Sequence, residues 1–324
     1  MKLYVSLLAG ALTLGAGSQV VSGAPVGHWR MDEPEAVAGG TIGTVTNAAN
    51  PGTINGSGVN GAKFSADTPG AFIFDPLTST YTANQYALDA SGANQRVTVA
   101  NNAALDIDVG GDKSFTIEFF MKLVGEPSSY ENFIARMFNG PISDTQTGSS
   151  DRQGWQVDFD HGSTTSYGRI RSRWDTPGTP PPDWNRVSSA GVVFVDTDTG
   201  LPYSGTDYYT NGDGVNDLPG WHHVALTYDD ANSQFRIYLN KTGGNTQTLA
   251  GTYEHGPASL DFGKFSGTAY GLLIDEVRYS SGVLTTGQFL TASAVPEPTT
   301  PLVLLGMGLL VLRRRRAVAV TCIR

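Results

Sequence analysis

The chain has 324 residues, with 16% charged side chains, 40 Gly and 17 Pro. That composition suits short strands joined by many turns and excludes a fold of long amphipathic helices, which need few Gly. The formal charge is −9. Without Lys2, Arg313, Arg314, Arg315, Arg316, Arg324 and Glu297 at the two ends, the middle carries about −14, the opposite of a nucleic-acid binder's basic patch. The one cysteine, Cys322, rules out an intramolecular disulfide.

Lys2 gives a short positive start, and residues 3–14 form an apolar run. Small residues follow, so residues 1–24 read as a signal peptide cleaved between Ser18 and Ala24. The stretch Val26-Gly-His-Trp-Arg-Met-Asp-Glu33 opens the mature part. Further on come Tyr86-Ala-Leu-Asp89 and Arg96-Val-Thr-Val99. Between Ser114 and Leu123, Phe115, Ile117, Phe119, Met121 and Leu123 fall on one face. Thr116, Glu118 and Lys122 fall on the other, with Phe120 the exception. Period two over nine residues predicts a half-buried strand.

Trp155-Gln-Val-Asp-Phe-Asp160 and Gly168–Trp174 also read as strands. The Pro-rich run at residues 176–182 reads as a loop insertion, because strand-like sequence resumes at Val187. Trp221–Tyr228 and Phe235–Leu239 flank a turn of Asp229, Asp230, Ala231, Asn232 and Ser233, which predicts a hairpin. Leu273–Tyr279 is one more strand, with Leu273, Asp275, Val277 and Tyr279 expected on one face. Asn-Gly turns recur, as at Asn55-Gly56 and Asn139-Gly140.

The segments at residues 26–33, 86–99, 115–120, 221–239 and 274–279, with Leu284 after them, resemble in order and spacing the laminin-G-like, concanavalin A-like jelly roll of bacterial surface proteins. The resemblance implies an all-β fold, a jelly-roll β-sandwich of two antiparallel sheets across residues 25–294. It also suggests a carbohydrate-binding or adhesive role.

At the C-terminal end, Val295-Pro296-Glu297-Pro298 leads into the apolar residues 302–312, followed by Arg313, Arg314, Arg315 and Arg316. Eleven apolar residues fall short of the ~20 that span a bilayer. They make a short hydrophobic helix and a weak anchor, holding the chain at the inner membrane transiently. The arrangement over residues 295–316 resembles the PEP-CTERM sorting signal of Gram-negative bacteria. The resemblance implies processing by an exosortase-type membrane peptidase near Pro296, Glu297 and Pro298, and delivery to the cell surface or extracellular matrix. The hydrophobic span is shorter than usual for that signal, and a tail of residues 317–324 follows the arginines where the signal usually ends.

Glucanases of this fold place alternating carboxylates on one strand, so that two acids meet one sugar from one sheet face. Asp158 and Asp160 share a face and are the first pair to inspect, but the Glu expected of such a site is missing. Asp275 and Glu276 are adjacent and so are expected on opposite faces. No catalytic residue is assigned. His222 and His223 also face opposite sides, which suits a core strand better than a metal site.

Calcium takes six to eight oxygens from a flexible loop. Within the acidic insertion 196–217, Asp207, Asn211, Asp213 and Asp217 are candidate ligands, with plain turn formation as the alternative. Asp275 is a fifth candidate ligand; otherwise it ties down a neighbouring loop, since a carboxylate on an apolar face needs hydrogen bonds or a cation.

Trp174, Trp184, Tyr203, Tyr208 and Tyr209 are candidate platforms for sugar rings, with burial beneath long loops as the alternative. Arg169, Arg171 and Arg173 form a stripe that would suit an anionic polysaccharide or pair with the surplus acids. Three functions stay open: a glycan-binding or adhesion module, a structural matrix protein, and a divergent glycoside hydrolase.

Overall fold

A computed structural model describes residues 23–124, 131–137, 154–160, 169–175, 185–193, 220–249, 253, 257–265 and 271–294. Among these residues the chain forms nineteen strands and two single turns of 3-10 helix. The first eight strands are short: β1 (Pro25–Trp29), β2 (Thr44–Val45), β3 (Gly56–Val59), β4 (Lys63–Ser65), β5 (Phe72–Asp75), β6 (Thr80–Ala83), β7 (Ala87–Asp89) and β8 (Arg96–Val99). Longer strands follow: β9 (Phe115–Leu123), β10 (Glu131–Met137), β11 (Gly154–Asp160), β12 (Arg169–Asp175) and β13 (Asn185–Val193). The last six are β14 (His222–Asp229), β15 (Gln234–Leu239), β16 (Thr242–Thr248), β17 (Leu260–Gly263), β18 (Leu272–Ser281) and β19 (Thr291–Ser293).

Two eight-stranded antiparallel sheets carry the fold. One runs β16-β15-β14-β9-β18-β7-β4, with β1 paired to β18; the other runs β13-β12-β11-β10-β17-β8-β3-β2. Their inner faces meet in one apolar core. Phe115 of β9 stacks on Trp155 of β11 at 5.5 Å between ring centroids, and Trp29 of β1 lies 5.9 Å from Phe262 of β17. The alternation read from the sequence holds on β9, where Phe115, Ile117, Phe119, Met121 and Leu123 all enter this core. Val224, Leu226 and Tyr228 do so from β14, and Phe235, Ile237 and Leu239 from β15.

The two-sheet expectation is incomplete in one respect. A third sheet, β19-β5-β6, is also present. It explains Phe120, which breaks the alternation of β9. Phe120 packs with Ile73 of β5 and Leu290, and Ala225 and Tyr238 pack with Leu284 and Phe289. The outer face of the first main sheet is therefore apolar where the small sheet and residues 284–293 cover it.

β18 corrects a second expectation. Its pairing with β9 shifts register between Asp275 and Arg278, a β-bulge. Glu276 there has φ +52°, the left-handed region that only Gly adopts without cost. An extra residue reverses the alternation. Leu272 and Ile274 face the core before the bulge, and Val277 and Tyr279 after it. Asp275 therefore does not share a face with Val277 and Tyr279.

Candidate functional site

Two polar assemblies lie on the side of the first sheet that faces away from the core. The first centres on Glu118, which is fully buried. Its Oε1 accepts from Arg278 Nε at 2.8 Å and also from Arg278 Nη2. Its Oε2 accepts from the Leu290 amide at 2.9 Å and stands 2.7 Å from His223 Nε2. Arg278 in turn donates to Asp75 Oδ1 at 2.6 Å and to the Gln288 carbonyl at 2.7 Å. Burial alone would push the Glu118 carboxyl up. The His223 contact and the charge of Arg278 outweigh it and hold the group below the ordinary glutamate range. Every strong bond of this carboxylate is used internally, so it clamps the C-terminal segment and the small sheet to β9.

The second assembly is built by the bulge. Glu276 is fully buried and turns to the side of His28 and Arg30, opposite to Trp29. Its Oε2 lies 2.5 Å from His28 Nε2, and its Oε1 accepts from Arg30 Nε at 3.0 Å. Arg30 Nη2 reaches Asp32 at 3.1 Å and the Ala83 carbonyl at 2.7 Å. Asp32 accepts the amides of Gln85 and Tyr86 at 2.8 and 2.9 Å; burial dominates its titration and raises it.

Next to this set, Asp275 accepts from Asn84 Nδ2 at 2.8 Å and from the Glu276 amide at 2.8 Å. Burial and then the Glu276 charge push the Asp275 carboxyl well above the ordinary range. Asp275 and Glu276 thus share a side despite being adjacent, contrary to strict alternation, because the backbone of Glu276 is left-handed.

A cleft of about 500 Å³ opens beside this second assembly. His28, Arg30 and Glu276 line it from the β1 side, and Asp75, Thr78, Thr80 and Thr82 from the β5–β6 hairpin. Thr80 and Thr82 alternate on β6 and so point the same way, and Thr78 lies in the turn before them. Such a volume falls in the usual range for small-ligand clefts, ~300–1,000 Å³.

The residues singled out in the sequence fare unevenly. Asp158 is fully buried and accepts from Gln156 Nε2 at 2.7 Å, and the side chain of Asp160 lies outside the described residues. The register of β11 and β12 sets Asp158 opposite Arg171, Asp160 opposite Arg169 and Gln156 opposite Arg173. Trp174 sits in β12 opposite Trp155 and Asn185, its side chain outside the described set. Trp184, Tyr203, Tyr208, Tyr209, Asp207, Asn211, Asp213, Asp217 and residues 295–316 lie outside the described residues altogether.

Among the described residues no group of three or more His, Cys, Asp or Glu is arranged to hold a metal ion, and no helix is long and apolar enough to cross a membrane. Asp275 holds the side chain of Asn84, which follows β6. Sequence reading missed His28, Arg30, Asp75 and the three threonines. The alternations His28-x-Arg30-x-Asp32 and Thr78-x-Thr80-x-Thr82 were visible signals.

Residues 294–316 match the PEP-CTERM protein-sorting motif. The C-terminal end is thus a sorting signal of the kind exosortases recognise, and it marks an exported protein of a Gram-negative-type bacterium that is processed at the membrane. No curated protein matches the chain. Among solved structures, a point mutant of HCR/D is similar at 11% identity with a TM-score of 0.50, over 82% of this chain and 50% of that one. The binding domain of botulinum neurotoxin serotype D is similar at 11% identity and 0.49, over 82% and 49%. The receptor binding domain of botulinum neurotoxin type G is similar at 12% identity and 0.44, over 82% and 49%. The chain thus spans about half the length of the solved structures it matches, and the likeness concerns the fold alone.

Proposed function

We propose that this is an exported, non-catalytic protein of the cell surface or extracellular matrix whose β-sandwich binds polysaccharide. The observation that carries this reading is the open cleft beside His28, Arg30 and Glu276, on a chain that ends in a sorting motif. Its wall mixes hydroxyls, a guanidinium and a carboxylate, the groups that hydrogen-bond sugars. An exosortase-type peptidase is the processing partner, and residues 302–312 hold the chain at the membrane until it acts.

The carboxylates argue for binding over hydrolysis. A glycosidic acid or nucleophile must reach the scissile bond. Glu118 is saturated by Arg278, His223 and the Leu290 amide, Glu276 is gripped by His28 and Arg30, and Asp158 is buried against Gln156. Calcium held by Asp207, Asn211, Asp213 and Asp217 would add a second contact surface with Tyr203, Tyr208 and Tyr209.

The test is binding of the full chain to a polysaccharide panel, in calcium and in chelator. Saturable binding without release of reducing ends is the expected result. Loss of binding in chelator would add the acidic insertion to the binding surface. No binding in either condition would leave a structural matrix role, and release of reducing ends would mean a hydrolase.

A further inference from the structure

We propose that the cleft between β1 and the β5–β6 hairpin is a subsite for a neutral, uncharged sugar residue, such as a hexopyranose unit; this rests on the polysaccharide reading above. The argument starts from charge. Arg30 faces both Glu276 and Asp32, Arg278 faces both Asp75 and Glu118, and His28 hydrogen-bonds Glu276. An anionic ligand would find both guanidinium groups already engaged by two carboxylates each, and would lose its own hydration without a counter-charge in return.

What the wall still offers is hydrogen-bonding capacity of both signs. Arg30 uses Nε and Nη2 within the protein and keeps Nη1 to donate. Asp75 receives Leu77 and Arg278 on Oδ1 and keeps Oδ2 to accept. Thr78 and Thr80 share a hydroxyl contact of 2.7 Å, and Thr82 Oγ1 has no protein partner among the described residues. A sugar hydroxyl donates and accepts at once, and so it fits a wall that mixes donors, acceptors and hydroxyls.

The wall is also preorganised. Its central carboxylate is aimed by a bulge whose left-handed residue is Glu276, and such strained positions cluster at binding sites. Asp75, His28 and Arg30 are neither sealed nor free, with side-chain exposures of 16, 13 and 16%. Arg30 is braced at three points and Asp75 at two, so little ordering entropy remains to be lost on binding. Pro25, Ala48, Ala49 and Ile73 supply the apolar remainder of the lining, suited to the C–H face of a sugar ring.

The experiment measures dissociation constants of the full chain for dextran, mannan and a mixed-linkage β-glucan, with alginate as the acidic comparator. The paired variant Thr80→Val with Thr82→Val removes two cleft hydroxyls from an edge strand while keeping strand propensity. Thr246→Val with Thr248→Val removes two hydroxyls from β16, an edge strand of the first main sheet that does not line the cleft. Thr82→Ala serves as a second cleft variant, and thermal melts establish that each is folded.

The expected result is binding of at least one neutral polymer, weakened about tenfold by the cleft pair, in keeping with two lost hydrogen bonds. The β16 pair should leave affinity unchanged. Affinity unchanged in both cleft variants would overturn the subsite and leave the polysaccharide reading standing. Binding of alginate alone would overturn the neutral class. Failure of the parent on every polymer would overturn both the subsite and the reading it rests on.

Discussion

His223 Nε2 lies 2.7 Å from Glu118 Oε2, joining β14 to β9 on the side covered by the small sheet. Arg278 closes the other half of the carboxylate, and both cationic-type partners are buried with it. Removing one partner strands the rest without solvent. Glu118→Ala should therefore destabilise the fold by about 3–5 kcal/mol. Denaturant titration checks the value; a loss under 1 kcal/mol would mean that the cluster is hydrated.

The same carboxylate gives an acid limb to stability. Its folded-state pKa is depressed, because the His223 contact and the Arg278 charge outweigh burial. Its contribution is complete above the unfolded value, about 4.3, and is lost as pH falls through the folded value. The parent's melting temperature should drop on acidification below about pH 4. Glu118→Gln should be less stable at neutral pH and flatter over that window. Parallel curves for the two proteins would remove Glu118 from the acid response.

Asp275 titrates in the opposite sense. Burial first, and then the neighbouring Glu276 charge, raise its folded-state pKa. Stability from this group is complete below the unfolded value, about 3.9, and is lost as pH rises through the folded value. Each pH unit across that interval costs about 1.4 kcal/mol. Asp275→Asn removes the cost, and the turned amide of Asn84 can pair with the new one. The gap in melting temperature between variant and parent should widen in the variant's favour as pH rises. A variant that loses stability equally at all pH values would show that the ionised form is the one the fold needs.

Local rules made β9, β14 and β15 legible, because each buries one face and so must alternate. Phe120 looked like an exception only because the strand-pattern reading assumed solvent outside the sheet, where β5, β19 and Leu290 in fact lie. The bulge on β18 was not legible. No Gly marks it, and Glu276 is held in the left-handed region by His28 and Arg30, which are 248 and 246 residues away in sequence. The threonine alternation was visible, but only the fold brings it opposite β1.

If the left-handed backbone of Glu276 is costly in itself, substitutions that lose the same side-chain bonds should still differ. Glu276→Gly and Glu276→Val both abandon His28 and Arg30. Glycine relieves the φ of +52° and valine worsens it. Glu276→Gly should exceed Glu276→Val in stability by about 1–2 kcal/mol. Equal values from paired denaturation curves would mean that the bulge relaxes once the carboxylate is gone.

The signal cleavage expected between Ser18 and Ala24 meets a physical limit at Gly23. This residue is buried, and a Cβ there would stand 1.7 Å from the Ser281 carbonyl oxygen. The next carbonyl, of Ala24, accepts from the Ser281 amide at 3.1 Å and from its hydroxyl at 3.3 Å. These contacts extend the pairing of β1 with β18 beyond Pro25. A peptidase that cut after Ala24 would remove them and leave the β1 edge frayed. Cleavage at or before Ser22 keeps them, and it also avoids Pro25 as the first residue of the product. Terminal sequencing of the exported protein should therefore read Gly23 and Ala24 ahead of Pro25. Gly23→Val should lower the melting temperature, because the close approach to Ser281 admits no side chain. A mature chain that begins at Pro25 with undiminished stability would show that this approach adds nothing to the sandwich.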